Sequence, residues 1–228
     1  MRERCLPSGM NDAGLKLMDQ LITSRRSVRR GQYLFRAGEA FKSLYAIRLG
    51  FFKTFVTAKS GREQVTGFQM AGELMGLDGI STTHHACHAI ALEDSQVCAI
   101  HYEDLEALSS SFPPLLQQFH RLMSREILRD QSMMMVLAQA RAEERVANFV
   151  LNLAQRLRLR GYSASNLVLR MSRDDIGNYL GLTLETVSRT FSRLQDEGVL
   201  AVKYREISIL NTRALIEVAS RATDNPHP

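Results

Sequence analysis

The chain has 228 residues, 45% hydrophobic and 23% charged, the balance of an ordinary globular protein with room for one large domain or two modest ones. No apolar run reaches the roughly 18 residues of a membrane span, and the opening MRERCLPSGM lacks the apolar core of an export signal, so the expected location is the cytoplasm, with no membrane partner. The net charge of +5 permits a nucleic-acid partner without demanding one, and three scattered cysteines argue against a disulfide framework, while the lack of a CxxC pair leaves no zinc ribbon or thioredoxin-like site to be written.

From about Arg30 to His101, short apolar segments alternate with glycine turns. SLYAIRL (43–49), FFKTFV (51–56), EQVTGFQ (63–69) and SQVCAIH (95–101) have strand length and β-branched or aromatic content. Many short strands at this spacing predict an antiparallel roll or barrel. Neither GxGxxG nor a P-loop lysine is present, which argues against nucleotide hydrolysis. Neither a GxSxG elbow nor HExxH appears, so no catalytic residue is assigned and the chain is not read as an enzyme. His84, His85, Cys87 and His88 cluster in one loop, but their spacing matches no standard metal site.

From Pro113 to about Ala140 the glycines vanish and helix formers take over. Prolines at a helix start cost little, because their missing N–H groups would be unpaired there anyway. The predicted helix is roughly 40 Å long at a rise of about 1.5 Å per residue. Leu116, Met123, Ile127, Met134 and Leu137 trace one narrow apolar stripe along it. Such a stripe suits the seam of a helix pair between two copies, or a helix lying on its own domain. Asp130 interrupts the stripe. In a symmetric parallel pair it meets its own copy, and two carboxylates in low dielectric repel or force one to take up a proton. The hypothesis is that Asp130 weakens dimerisation so that a signal controls it; at the edge of the seam it would simply reach solvent.

A second helical run, RAEERVANFVLNLAQRLRLRG, ends at Gly161, a candidate C-cap, and GYSASN reads as loop. These place a domain boundary between about 140 and 170. The segment SRDDIGNYLGLTLETVSRTFSRLQDEG (172–198) carries the strongest signal. Ser172 caps a first helix whose opening turn holds Asp174 and Asp175, where negative charge suits the positive helix end. Gly181 permits a tight turn and Thr183 caps the second helix, so that the pair reads as a helix-turn-helix. On the second helix Val187, Phe191 and Leu194 face inward, while Glu185, Ser188, Arg189 and Ser192 share the outer face. Arginine donates two hydrogen bonds to guanine, glutamate accepts from cytosine N4, and serine suits either. Double-stranded DNA is therefore the expected partner, although a solvated amphipathic hairpin has the same pattern. After Gly198, VLAVKY and EISIL read as a two-stranded wing, with Lys203 and Arg205 available to phosphates.

Together LFRAGEAFKSLYAIRLG (34–50), GREQVTGFQMAGELMGLDGI (61–80), RLMSREILRDQ (121–131) and DDIGNYLGLTLETVSR (174–189) resemble the Crp/Fnr family, in its branch of the fumarate and nitrate reduction regulator. The resemblance covers nearly the whole chain. It implies an α+β protein with an N-terminal β-roll of the cyclic-nucleotide-binding type (1–112), a long dimerisation helix (113–140) and a C-terminal winged helix-turn-helix domain (141–228). It implies a homodimer on a palindromic site, with Glu185, Ser188 and Arg189 at base-reading positions, and the turn Ala58–Arg62 as a surface for RNA polymerase. The expected function is transcription regulation in response to oxygen or redox state; the alternative is a Crp-like regulator answering to another small effector.

Two family ligands are weighed against the residues. Cyclic-nucleotide-binding members follow GEL with an Arg–Ser pair that holds the phosphate. Here GEL (72–74) is followed by STTHHACHA (81–89), with no arginine, and a buried phosphate without a cation is strongly unfavourable. The oxygen-sensing branch holds a [4Fe–4S] cluster on four cysteines. Cys98 matches its roll ligand and Cys5 resembles the last of its N-terminal three, so only two of the four ligands are present. Either two further cysteines lie upstream of the sequence given, or redox is sensed otherwise, for example by oxidation of exposed thiols. Taken alone, Cys98 reads as a small buried hydrophobe in a strand.

Overall fold

The computed structural model describes residues 21–220. The chain divides into two compact units, 1–127 and 128–228.

Among the described residues of the first unit there are eight strands: β1 (Ile22–Val28), β2 (Tyr33–Phe35), β3 (Ser43–Leu49), β4 (Phe51–Thr57), β5 (Glu63–Met70), β6 (Leu74–Met75), β7 (His88–Ala91) and β8 (Ser95–His101). They pair antiparallel in two sheets, ordered β1-β8-β3-β6 and β2-β7-β4-β5. Successive side chains on a strand point to opposite faces, and β3 and β8 use both. Ile47 and Val97 pack with Val28, Phe35, Phe52 and Ala91 in one core. Leu44, Ala46, Cys98 and Ile100 form a second core with Leu105 of α1 (Tyr102–Ser111) and Leu115 of α2 (Pro113–Gln139).

The sequence reading did not anticipate β1, α1 or the short strands β2, β6 and β7. β1 is an edge strand with five consecutive exposed residues, so it lacks the apolar alternation that marks a half-buried strand. The expected strands at 43–49 and 95–101 fall where they were read, and β4 and β5 each run one residue further.

The long helix α2 spans 113–139, and the division between the units falls inside it. Leu115 is buried, whereas Leu116, Ile127 and Met134 are exposed on this single chain, as is Asp130; Met123 and Leu137 are half-buried. Leu128 and Met135 are exposed beside the stripe.

The second unit contains α3 (Ala142–Arg158), β9 (Asn166–Val168), α4 (Arg173–Leu180), α5 (Leu184–Asp196), β10 (Leu200–Lys203), β11 (Glu206–Ile209) and α6 (Thr212–Ser220). α3 buries Val146, Phe149, Val150 and Leu153 on one face, and Asn148 Nδ2 donates to the Ala219 carbonyl of α6 at 2.9 Å. The helix ends at Arg158 and is capped at Leu159. Gly161 therefore corrects one expectation: it occupies a turn beyond the helix rather than its cap, in the left-handed region at φ +80°. The wing has three strands rather than two, in the order β10-β11-β9. β9 begins at Asn166, the last residue of the stretch read as loop, and is only three residues long.

Candidate DNA-reading face and sensor interior

Local chemistry builds the helix-turn-helix. Ser172 Oγ accepts from the Asp175 backbone N–H at 2.9 Å, and Asp175 Oδ2 accepts from the Ser172 backbone N–H at 3.0 Å. This reciprocal pair satisfies donors that a helix start leaves open. Gly181 ends α4 at φ +65°, a region glycine enters without steric cost. Gly177 is required for a different reason: a Cβ there would lie 2.7 Å from the Leu182 carbonyl oxygen of the turn. Arg145 Nη1 donates to the Leu180 carbonyl at 3.0 Å, closing the end of α4 from the side of α3. Thr183 Oγ1 accepts from the Thr186 N–H at 3.2 Å and starts α5.

α5 then divides as its periodicity requires. Val187, Thr190, Phe191 and Leu194 are buried, while Glu185, Arg189 and Ser192 are exposed and Ser188 is half-buried. Arg193 turns aside, paired with Glu143 and, at 2.9 Å, with Glu197.

Sequence reasoning missed three residues that hold the wing against this face. The Arg173 guanidinium stacks 3.7 Å above the Phe191 ring, and its Nη2 donates to the Tyr204 carbonyl at 3.5 Å. Burial pulls its pKa down. Gln195 Oε1 accepts from the Val202 N–H at 2.9 Å. Tyr204 forms the wing tip at φ +55° and is 91% exposed, between exposed Lys203 and Arg205. The available signal was a cation directly after a helix cap and an aromatic between two cations.

In the roll, the histidine loop is spent on structure. His85 is buried, stacked on Phe35 with centroids 3.7 Å apart and edge-on to Phe41. His88 Nδ1 accepts from the Ala37 N–H at 3.3 Å and its ring stacks on Phe55. Among the described residues, no group of three His, Cys, Asp or Glu side chains is arranged to hold a metal ion. Cys87 is half-buried, and burial, followed by the charge of Asp78 and the hydrogen bond to it, pushes its thiol up to about 12. It is a poor thiolate, which removes Cys87 as an easily oxidised sensor. Cys98 is wholly buried in β8, opposite Arg25 and Ala46; Cys5 lies outside the described residues. Cys87, held protonated, is poorly suited to act as a cluster thiolate.

An exposed recognition-type helix, a reciprocal cap, a tight turn and a three-stranded wing define a winged-helix DNA-binding regulator, joined to a β-roll. Residues 144–218 match the Crp-like helix-turn-helix domain and residues 25–112 the cyclic nucleotide-binding domain. The chain is 47% identical over 218 residues to the fumarate nitrate reduction regulatory protein of Klebsiella oxytoca, covering 96% of this chain and 87% of that protein. It is also 47% identical over 215 residues to the fumarate and nitrate reduction regulatory protein of Escherichia coli K12, covering 94% and 86%. Among solved structures it resembles FixK2 of Bradyrhizobium japonicum, with TM-score 0.79, 29% identity, and coverage of 90% of this chain and 98% of that one. A Crp-family regulator of Thermus thermophilus shares the fold at TM-score 0.68 and 20% identity, covering 86% and 97%. The chain belongs to the Crp/Fnr family. It is a DNA-binding transcription regulator and not an enzyme. No described helix is long and apolar enough to cross a membrane.

Proposed function

We propose that the protein acts in the cytoplasm as a homodimer paired along α2, each copy reading one half of a palindromic DNA site about one helical turn from the other. In this reading the sensor is 1–112, the dimerisation helix 113–140 and the DNA-binding domain 141–228. Glu185, Ser188, Arg189 and Ser192 read base edges, while Lys203 and Arg205 meet phosphates. The observation that carries it is the division of α5: Glu185 and Arg189 stand exposed near its N-terminus, the end that a helix-turn-helix inserts into the major groove, over an underside of buried Val187, Thr190, Phe191 and Leu194. For pairing, the support is the exposed stripe of Leu116, Ile127 and Met134, a line of apolar surface costly to leave in water. The turn Ala58–Arg62, five consecutive exposed residues closed by an Ala58 N–H to Arg62 carbonyl bond of 2.9 Å, is the surface we assign to RNA polymerase.

The test is DNA affinity. Arg189→Ala costs about 1–3 kcal/mol on the cognate palindrome and far less on random duplex. Equal affinity of the native protein for every duplex sinks the proposal.

The signal we infer is oxygen or redox state, supported by relatives named for regulating fumarate and nitrate reduction. A different small effector is the second reading, favoured by the protonated Cys87 thiol. Iron and sulfide analysis of protein purified without air, with any upstream cysteines included, separates them: brown, iron-containing protein that bleaches in air supports the first, and colourless protein the second.

A further inference from the structure

Asp78 lies in the short 3-10 turn Leu77–Gly79 that follows β6, and the loop 81–87 returns to face it. One carboxylate oxygen, Oδ2, receives the backbone N–H of Ala86 at 2.8 Å, that of Cys87 at 3.3 Å and the Cys87 thiol at 3.5 Å. The other, Oδ1, faces His85 Nδ1 at 3.5 Å. Two successive amides converging on one point form an anion-binding nest. Beside it, the buried His85 ring fills the space between Phe35 and Phe41 and covers Gly76, where an added Cβ would come 3.6 Å from the ring. Nearby Glu73 is also turned inward, accepting from the Met70 N–H at 2.9 Å.

Residues 25–112 match the cyclic nucleotide-binding domain, whose nucleotide-binding members hold a phosphate anion. We infer that in this chain Asp78 is an internal ligand: its carboxylate occupies an anion seat formed by the Ala86 and Cys87 amides, and so pins the loop 81–87 with no external anion. The far side of the loop is stitched by backbone bonds alone, Gly38 N–H to His85 carbonyl, His85 N–H to Glu39 carbonyl and Phe41 N–H to Thr83 carbonyl, at 2.8 to 2.9 Å. The loop is thus closed on both sides by the chain itself. A phosphate entering the seat meets a fixed negative charge at hydrogen-bond distance, which is strongly repulsive away from bulk water. The roll is held permanently in an anion-filled arrangement, and the regulator's signal enters elsewhere. This holds whatever site the DNA-binding domain reads.

Chemical rescue tests it. In the full chain, Asp78→Ala lowers the melting temperature, and added formate restores part of the loss relative to chloride at equal ionic strength; the native protein responds to neither formate nor cyclic AMP. Asp78→Asn, which keeps the side-chain shape, raises the alkylation rate of Cys87 by iodoacetamide several-fold, read by peptide mass spectrometry, because the charge opposing the thiolate is gone. An Asp78→Ala protein as stable as the native one, or folded and indifferent to formate, overturns the assignment. So does an unchanged Cys87 rate in Asp78→Asn, a readout that survives if the alanine variant fails to fold, or a cyclic AMP shift in the native protein.

Discussion

On α5, Glu185 and Arg189 stand in solvent above a buried layer of Val187, Phe191 and Leu194, whereas in the roll Asp78 and His85 turn inward and face one another. Both regions carry acid and base on a similar apolar scaffold. Glutamate and arginine in water keep their hydrogen-bonding capacity for a partner, at little cost to folding. Carboxylate and imidazole inside a roll are desolvated, and must be satisfied by the chain itself. The first arrangement suits recognition and the second suits holding a loop.

Four measurements break or sharpen that contrast. The largest effect falls on the layer beneath the reading face. Phe191→Ala removes a side chain that is 2% exposed together with the stacking of Arg173, and destabilises the DNA-binding unit by about 3–5 kcal/mol. In denaturant unfolding the sensor transition stays in place; a shift in both transitions breaks the separation. Next is Asp130, on the helix shared by the two units. If it meets its copy, Asp130→Ala tightens dimerisation on the order of tenfold, measured by sedimentation. An unchanged dissociation constant makes it an open, solvated residue like Glu185. Ser172→Ala, which removes the cap of α4, costs about 1 kcal/mol and lowers the melting temperature of the same unit as Phe191→Ala. The smallest effect is a pH dependence of the sensor. Burial pushes the Asp78 carboxyl up, but the hydrogen bonds from His85, Ala86 and Cys87 outweigh it and hold it below its ordinary value. A depressed carboxyl stabilises the fold above its unfolded value near about 4, and that stability is lost as pH falls below it. The gap in melting temperature between native and Asp78→Asn protein therefore narrows between pH 6 and pH 3. A constant gap removes Asp78 as a charged contributor.

Much of the DNA-reading unit was legible in advance because its signals are local. Ser172 acts on Asp175 and Thr183 on Thr186, each three residues on, Gly181 acts at its own position, and the 3.6-residue period of α5 sorts Glu185 from Val187 without reference to the rest of the fold. β3 and β8 were legible because each alternates between two cores. β1 escaped because an exposed edge strand has nothing to alternate against, and β9 because three residues give no period. Arg173 escaped because Phe191 and Tyr204, its partners, lie 18 and 31 residues away.

By itself the sequence determined the strands β3, β4, β5 and β8, the long helix α2, where α4 and α5 begin, and which side of α5 is polar, since caps and periodicity depend on neighbours within a turn or two. Only the tertiary structure decided that the wing has a third strand, that Arg173 joins α4, α5 and the wing turn, and that the histidine loop closes on Asp78. Those outcomes depend on which distant backbone groups are left to satisfy once the chain has packed, and no local pattern records that.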